Sequence, residues 1–524
     1  MDSGTYNVFV FIATVIAAYR IIYWLVYPGG HRPVSKKSLQ HISELRFEEN
    51  DTFSRYLHDT RTLLFQGYEK YLKNGIPFQM RNPIGELGPM VMLPMKYLDE
   101  VKNAPTSLFS FQVFSEKMFF LRYSDAPLQS DAATHVIKVD LNRNLGNVVD
   151  GMWKEAIASL DESIPASDSG EWTSFDTYDL ISKIASRVTA FALVGPELCR
   201  NEEWLKLSIH TTFTIFGAAY AIRDNYSPHW RWLARYQNDA PKQLRSMRAK
   251  ATELLRPIYA ERLNTTKKNQ KGAVYQEHGS SKFADTVYWL LGNKQADRSL
   301  SAIADQELFL TTASVHTTSG TLNSVLFDWL TQPDCQRDII AEAQHVLADI
   351  EDSVEGHPQW NMQQVARLRK LDSFMKESIR LHPIGFITNQ RYTLKPHTFK
   401  DGLHLPAGTI FQFHADGVHH DADIYPEPDK FDAYRFLRLR ETVDPNRFHF
   451  ASVSDTSLNF GAGTHPCPGR FLSALTIKLV MTLFMTRYEV KFEDESIVKR
   501  PADQFNDFNM RPDTSVRISA RRKQ

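Results

Sequence analysis

Residues 459–470 read NFGAGTHPCPGR, and residues 471–488 read FLSALTIKLVMTLFMTRY. The first stretch is a glycine-rich loop and the second an apolar helix, so Cys467 stands just ahead of a helix N-terminus. Gly461, Gly463 and Gly469 permit close backbone approach and positive φ angles that other residues resist. Pro466 and Pro468 stiffen the chain on both sides of the sulfur. The unpaired N–H groups of a helix start, together with its dipole, stabilise a thiolate. A lone thiolate in a rigid cradle is what an axial haem ligand requires. A free cysteine is more often a small inert hydrophobe, and the loop alone leaves both readings open. Cys199 and Cys335 have no such setting and read as buried, inert thiols.

Upstream of the loop the pattern is helical. Residues 305–330, DQELFLTTASVHTTSGTLNSVLFDWL, predict one long buried helix with a polar row in its middle, ended by Thr331-Gln332-Pro333. Residues 368–381 predict a second helix, stopped by His382-Pro383. Strand-like runs occupy 385–394 and 409–413, and a proline-rich irregular segment follows at 425–436. The polar stretch 264–283 reads as a surface loop. No internal repeat or low-complexity linker interrupts the chain. The fold class expected is mainly α, with small β-sheets towards the C-terminus.

The composition agrees with a globular body. Of 524 residues, 42% are apolar and 23% charged, which excludes disordered, collagen-like and polytopic membrane classes. Lys+Arg and Asp+Glu both number 61, so no net charge draws the chain to nucleic acid. Three cysteines cannot form a disulfide framework, and their scarcity fits a reducing compartment. One segment departs from the rest. Residues 6–27, YNVFVFIATVIAAYRIIYWLVY, carry a single charge, Arg20. At about 1.5 Å per residue they reach roughly 30 Å, the thickness of a hydrocarbon core. Tyr23, Trp24 and Tyr27 suit a membrane interface, and Pro28-Gly29-Gly30 breaks the helix. The apolar run is long for a signal peptide and no small-residue cleavage site is evident. His31, Arg32, Lys36 and Lys37 place the positive flank after the span, so the body is expected on the cytosolic side. The organisation expected is an anchor at 1–30 and one catalytic domain at 31–524.

The run Phe460-x-x-Gly463-x-x-x-Cys467-x-Gly469 resembles the haem-binding signature of the cytochrome P450 family. Three more segments match in order. Glu377-Ser378-Ile379-Arg380 looks like the family's Glu-x-x-Arg, and Asp432-Ala433-Tyr434-Arg435-Phe436 looks like its later arginine motif. Ala313-Ser314-Val315-His316-Thr317-Thr318 looks like the distal-helix motif, in a form most similar to filamentous-fungal members of secondary metabolism. The resemblance runs from about residue 30 to the end. It implies haem b between a long distal helix and a proximal cysteine loop, with Cys467 on the iron and Phe460, Gly461, Gly463, His465 and Gly469 in the cradle.

Spacing and resemblance together assign the remaining candidates. Glu377 and Arg380, at i and i+3, share a helix face, and Arg435 adds a second guanidinium. In the family this triad locks the cysteine loop, a structural role. Mid-helix threonine disfavours the helix and bonds back to an i−4 carbonyl, which opens a groove for water. The family uses an acid–threonine pair there to deliver protons during oxygen activation. This sequence has His316 at the acid position and Thr317 at the hydroxyl position; histidine can relay protons near neutral pH, or only pack. His465 and Arg391 match positions that hold haem propionates. The usual Trp-x-x-x-Arg motif is missing, and His135, Lys138 and Arg143 are alternatives the sequence does not rank. Phe111, Phe114, Phe119, Phe213, Phe216, Phe386 and Phe508 are candidates for an apolar substrate wall, some of them ordinary core.

The reading expected is a membrane-anchored haem–thiolate monooxygenase. It takes electrons from NADPH through NADPH–cytochrome P450 reductase, with cytochrome b5 as a second donor. It inserts one oxygen atom from dioxygen into a C–H bond of a large apolar substrate, such as a terpenoid or prenylated indole. Its expected place is the endoplasmic reticulum membrane, facing the cytosol, with no nucleic-acid partner. Two rivals stand beside it: a haem–thiolate isomerase or peroxide-using enzyme, prompted by the missing acid at position 316, and a non-catalytic haem sensor or lipid-binding protein.

Overall fold

The long helix at the centre, Leu300–Thr331, begins where the Ser299 side chain accepts from the Ala302 N–H. Its second half is buried on nearly every side from Val315 to Trp329, so it threads the core and does not lie on it. It packs against Thr177–Val194, Glu202–Asn225, Asp239–Gln270, Arg369–Leu381 and Arg470–Arg487. In this computed structural model the residues described are 12–19, 21, 34–82, 88–127, 129–165, 170–270, 284–351, 359–506 and 508–523.

Two apolar cores form. One is helical and unites Asn142–Ser163, Thr177–Val194, the central helix and Arg470–Arg487. The other surrounds a six-stranded sheet in the order Ser43–Leu45, Phe78–Met80, Met90–Met92, Ile410–His414, Ile387–Thr393, Phe109–Ser110. A three-stranded sheet joins Tyr488–Phe492, Arg517–Arg522 and Thr173–Asp176. The mainly helical class is as the pattern predicts. The placement of the sheets is not: four of the six strands of the large sheet come from the first 110 residues. Phe78–Met80, Met90–Met92 and Phe109–Ser110 are two or three residues long and buried, and Ser43–Leu45 is three residues long and largely exposed, so none carries a polar–apolar alternation to read.

The polar stretch expected to be a loop from 264 also differs. The helix Asp239–Gln270 runs into its first seven residues, and Arg262, Thr265 and Thr266 are part of that helix. Residues 271–283 lie outside the described residues. Most of the expected membrane span, 6–27, does too; residues 12–19 and 21 are helical with exposed side chains. Among the described residues no helix is long and apolar enough to cross a membrane.

The helix Arg369–Leu381 is buried from Leu371 onward. Its first N–H groups, those of Arg369, Lys370 and Leu371, donate to the Glu342 carboxylate at 2.8–3.1 Å, so a neighbouring helix supplies the cap. The strand Ile387–Thr393 bulges between Thr388 and Arg391, with Asn389 at φ 49°. A bulge bends a strand and re-aims its side chains, and here it turns Asn389 towards the cysteine loop. That loop sits at the seam of the two cores. Leu458 and Ala462 belong to the sheet core, and Leu472 and Leu475 to the helical one.

Candidate active site

The cysteine loop is held from three sides. Gly463, at φ +76°, lies so close to Lys102 that a Cβ would fall 2.2 Å from its carbonyl oxygen. That carbonyl accepts from the Thr464 N–H at 3.1 Å. The Asn389 Oδ1 accepts from the Ala462 N–H at 3.1 Å. Cys467 closes the turn by donating its own N–H to the Phe460 carbonyl at 2.8 Å. The helix Arg470–Arg487 then starts, and Arg470 Nη1 donates to the Cys467 carbonyl at 2.8 Å.

Cys467 is exposed to solvent, yet the surrounding protein pushes its thiol above the ordinary value. The N–H groups of Gly469 and Arg470 and the Arg470 charge oppose that shift. A thiol both reachable and hemmed in stands on the wall of a recess, with backbone donors aimed at its sulfur. Cys199 and Cys335 are buried, with thiols pushed by desolvation up to about 12 and about 11, as inert thiols are.

Beside the loop lies a group of cations. Arg391 is 7% exposed, and burial pulls its guanidinium down to about 10. Its Nη1 donates only to the Gln390 carbonyl at 2.8 Å, and among the described residues no carboxylate pairs with it. His465 is held below its usual value by burial, then by the charges of Arg391 and Lys138. Lys138 Nζ donates to the Thr464 carbonyl at 3.2 Å. Of the three alternatives for the missing motif, the structure thus brings Lys138 to the loop; His135 and Arg143 make no such bond. A buried guanidinium with no carboxylate beside it calls for an anion from elsewhere, and the exposed Lys138 and His465 flank the same place. One recessed thiol with backbone donors behind it and a cationic group beside it fits haem: a thiolate for the iron and cations for two propionates.

Behind the loop, Glu377, Arg380 and Arg435 meet as a buried cluster. Arg380 donates to both Glu377 oxygens at 2.8 and 2.9 Å, and Arg435 Nε donates at 3.1 Å. Arg380 also donates to the His419 and Pro428 carbonyls at 2.6 Å each, and Arg435 to the Pro426 carbonyl at 2.7 Å. His419 in turn accepts from the Leu458 N–H at 3.3 Å, two residues before Phe460. A chain of bonds therefore runs from the triad to the cysteine loop. Sequence reasoning missed two members of this scaffold. Lys376, buried and pulled down to about 7 by desolvation, donates to the His449 and Ser452 carbonyls and to Ser457 Oγ at 2.9–3.1 Å. Asn389 is the other. A lysine one position before Glu377, between the apolar Met375 and Ile379, was the available signal for the first; nothing in the sequence marks the bulge that aims the second.

The distal motif splits three ways, as consecutive helical residues must at about 100° apart. Thr318 Oγ1 donates to Ser473 Oγ at 3.1 Å, which ties the distal helix to the helix after the cysteine. Thr317 is exposed, and its hydroxyl donates back to the Ala313 carbonyl at 2.8 Å. His316 points away from both. Its Nδ1 pairs with Tyr178 Oη and its Nε2 with the Ile209 carbonyl, each at 2.7 Å. The pairing of His316 with Thr317 expected as a proton relay is not the geometry found, because both imidazole nitrogens are engaged by other helices.

The phenylalanines divide as well. Phe114, Phe386 and Phe508 are buried in the sheet core, while Phe111 and Phe213 remain about half exposed. Phe119 and Phe216 meet edge to face at 5.2 Å. The Arg391 guanidinium lies 5.8 Å from the centre of the Phe111 ring, which puts Phe111 beside the cationic group.

Comparison with known proteins gives the family. The Cytochrome P450 family profile matches residues 99–515. Cytochrome P450 monooxygenase ccsG of Aspergillus clavatus is 57% identical over 98% of this chain and 98% of its own. Cytochrome P450 monooxygenase CYP3 of Pyricularia oryzae is 49% identical over 93% of this chain and 98% of its own. Pyrichalasin C-7 hydroxylase of Pyricularia grisea is 46% identical over 93% of both. With a profile across most of the chain and relatives that span nearly all of it, the chain belongs to the cytochrome P450 family.

Proposed function

We propose that this cytochrome P450 monooxygenase hydroxylates a large apolar fungal metabolite. The observation that carries the reading is the recessed Cys467 thiol, backed by the Gly469 and Arg470 N–H groups and flanked by Arg391, His465 and Lys138. Cys467 would hold the iron, and the Arg391 and Lys138 cations, with the His465 ring as a hydrogen-bond partner, would hold the propionates. Haem, when bound, supplies the electron-rich iron that activates dioxygen. The protein's own part is to bind and orient the substrate and to move protons. Phe111 and Phe213 offer apolar surface, and the Thr317 hydroxyl holds a water and passes a proton from it. The similarity to a pyrichalasin hydroxylase makes pyrichalasin the first substrate to try, before terpenoid and prenylated-indole precursors. Electrons come from NADPH through NADPH–cytochrome P450 reductase, with cytochrome b5 as a second donor. The apolar segment 6–27 tethers the enzyme to the endoplasmic reticulum membrane with its catalytic body in the cytosol.

The test is expression with a fungal reductase, first without substrate and then with these compounds. The reduced protein with carbon monoxide is expected to show the strongly red-shifted Soret band of a thiolate ligand, and Cys467→Ala to lose it. Product bearing one added oxygen per NADPH consumed supports hydroxylation. Rearranged product without NADPH use assigns the isomerase reading instead.

A further inference from the structure

The residue at the acid position of the distal helix does something other than acid chemistry. His316 bridges three helices. Tyr178 lies in Thr177–Val194, Ile209 in Glu202–Asn225, and His316 in Leu300–Thr331. The Ile209 carbonyl can only accept, so Nε2 carries the proton; Nδ1 is bare and accepts from the Tyr178 hydroxyl. The ring is therefore one neutral tautomer, and burial holds it below its ordinary value. Phe213, half-exposed on the second helix, meets the His316 ring edge-on at 4.7 Å. A second link crosses the same seam about one turn away, from Thr212 Oγ1 to the Thr312 carbonyl at 3.4 Å.

We infer that His316 is a positioning residue that pins the helix Glu202–Asn225 to the distal helix and so sets the size of the substrate pocket. It is not a proton donor to Thr317. The inference rests on the monooxygenase reading for the word substrate, but the pinning stands on the hydrogen bonds alone. A relay needs a nitrogen free to face the water beside Thr317, and neither nitrogen is free. A pin needs two fixed partners on two other elements, and His316 has them. An aspartate at this position would break the pin, since a carboxylate facing the Ile209 carbonyl sets acceptor against acceptor.

The experiment compares purified holoenzyme carrying His316→Ala, His316→Gln, Tyr178→Phe or Thr317→Ala with the parent. Hydrogen–deuterium exchange of residues 202–225 reads the pin directly. Spectral titration with 1-phenylimidazole and with clotrimazole reads pocket size through a small and a large azole. Hydrogen peroxide released per NADPH reads proton delivery. His316→Ala is expected to speed exchange across 202–225 about tenfold and to shift the clotrimazole-to-phenylimidazole affinity ratio by a similar factor, the loss of one hydrogen bond to a buried group. Tyr178→Phe moves both in the same direction by less, and His316→Gln, whose amide N–H reaches the carbonyl, restores part of each. Peroxide release rises in Thr317→Ala alone. Unchanged exchange and azole ratio in His316→Ala, with peroxide rising as in Thr317→Ala, overturn the inference. If His316→Ala does not hold haem, Tyr178→Phe decides by exchange: parent-like protection of 202–225 overturns it. Failure of the monooxygenase reading shows separately, as a missing red-shifted Soret band in the parent, and leaves the exchange result standing.

Discussion

Glu307 shows how much a single residue can reveal about its surroundings. It is fully buried in the distal helix, and desolvation raises its carboxyl well above the usual range. The Thr286 hydroxyl lies 2.7 and 2.8 Å from its two oxygens and 2.5 Å from the Leu193 carbonyl. The hydroxyl donates to that carboxyl, which opposes the rise without cancelling it. Neighbouring Asp285 raises it further, while Arg262 pairs with Asp285 at 3.0 Å. A group whose folded pKa exceeds its unfolded one binds more protons folded, so its contribution to stability falls as pH rises above about 4.5. Glu307→Gln, a neutral isostere, removes that loss. Thermal unfolding at pH 5 and pH 8 is expected to show the variant gaining on the parent at pH 8; an equal gap at both pH values sinks the assignment. Glu377 is the opposite case, a buried anion matched by two cations. Glu377→Ala leaves Arg380 and Arg435 without their carboxylate and is expected to cost about 3–5 kcal/mol. The measurement is haem content with thermal stability, and parent-like values of both would show the cluster to be dispensable. The Glu–Arg–Arg set was legible because its members sit at fixed spacings. Glu307 was not, because its meaning lies in a threonine and a carbonyl on other helices.

At the scale of elements, the cysteine loop is the most demanding piece of backbone. Gly463 combines a left-handed φ with a carbonyl in the space of a Cβ. Gly463→Ala carries about 1–3 kcal/mol of backbone strain before the contact with Lys102 is counted. The expected outcome is loss of the red-shifted Soret band with unchanged far-ultraviolet circular dichroism, since the helices do not depend on this turn. Haem binding equal to the parent would mean that the loop can shift without consequence. The helices Leu300–Thr331, Arg369–Leu381 and Arg470–Arg487 were legible as elements, within a few residues at each end, whereas the boundaries of the long helices in the first half were not marked. The bulge at Asn389 and the three-way division of His316, Thr317 and Thr318 were not legible either. A one-dimensional motif states which residues are adjacent, whereas the direction of each depends on which neighbour packs against that side. The start of the polar stretch, 264–270, misled for the same reason. Its composition suits a loop, yet Thr265 and Thr266 bond back to Glu261 and Arg262 and prolong the helix.

For the whole molecule, the body and the proposed tether are separable. Among the described residues the sheet begins at Ser43 and both cores lie from Val34 onward, so removal of residues 1–30 takes nothing from either. The shortened protein is expected in the soluble fraction of lysed cells with its haem retained, against a membrane-bound parent. Haem loss would place the segment in the body's architecture, and continued membrane association would point to a further apolar contact. The joining of the two halves of the large sheet was hidden from sequence reading by their distance apart along the chain. Met90–Met92 pairs in parallel with Ile410–His414, and the Gln412 amide reaches Met92 from 320 residues along the chain. Such long-range pairing is slow to form, since a large loop must close before any contact rewards it. During synthesis the consequence is an order of events. The early strands leave the ribosome with an open edge and wait for most of the chain to follow. Cys467 emerges later still, so the prosthetic group is captured by a nearly finished chain, and a messenger truncated before residue 410 yields an aggregation-prone fragment for chaperones and proteases to clear.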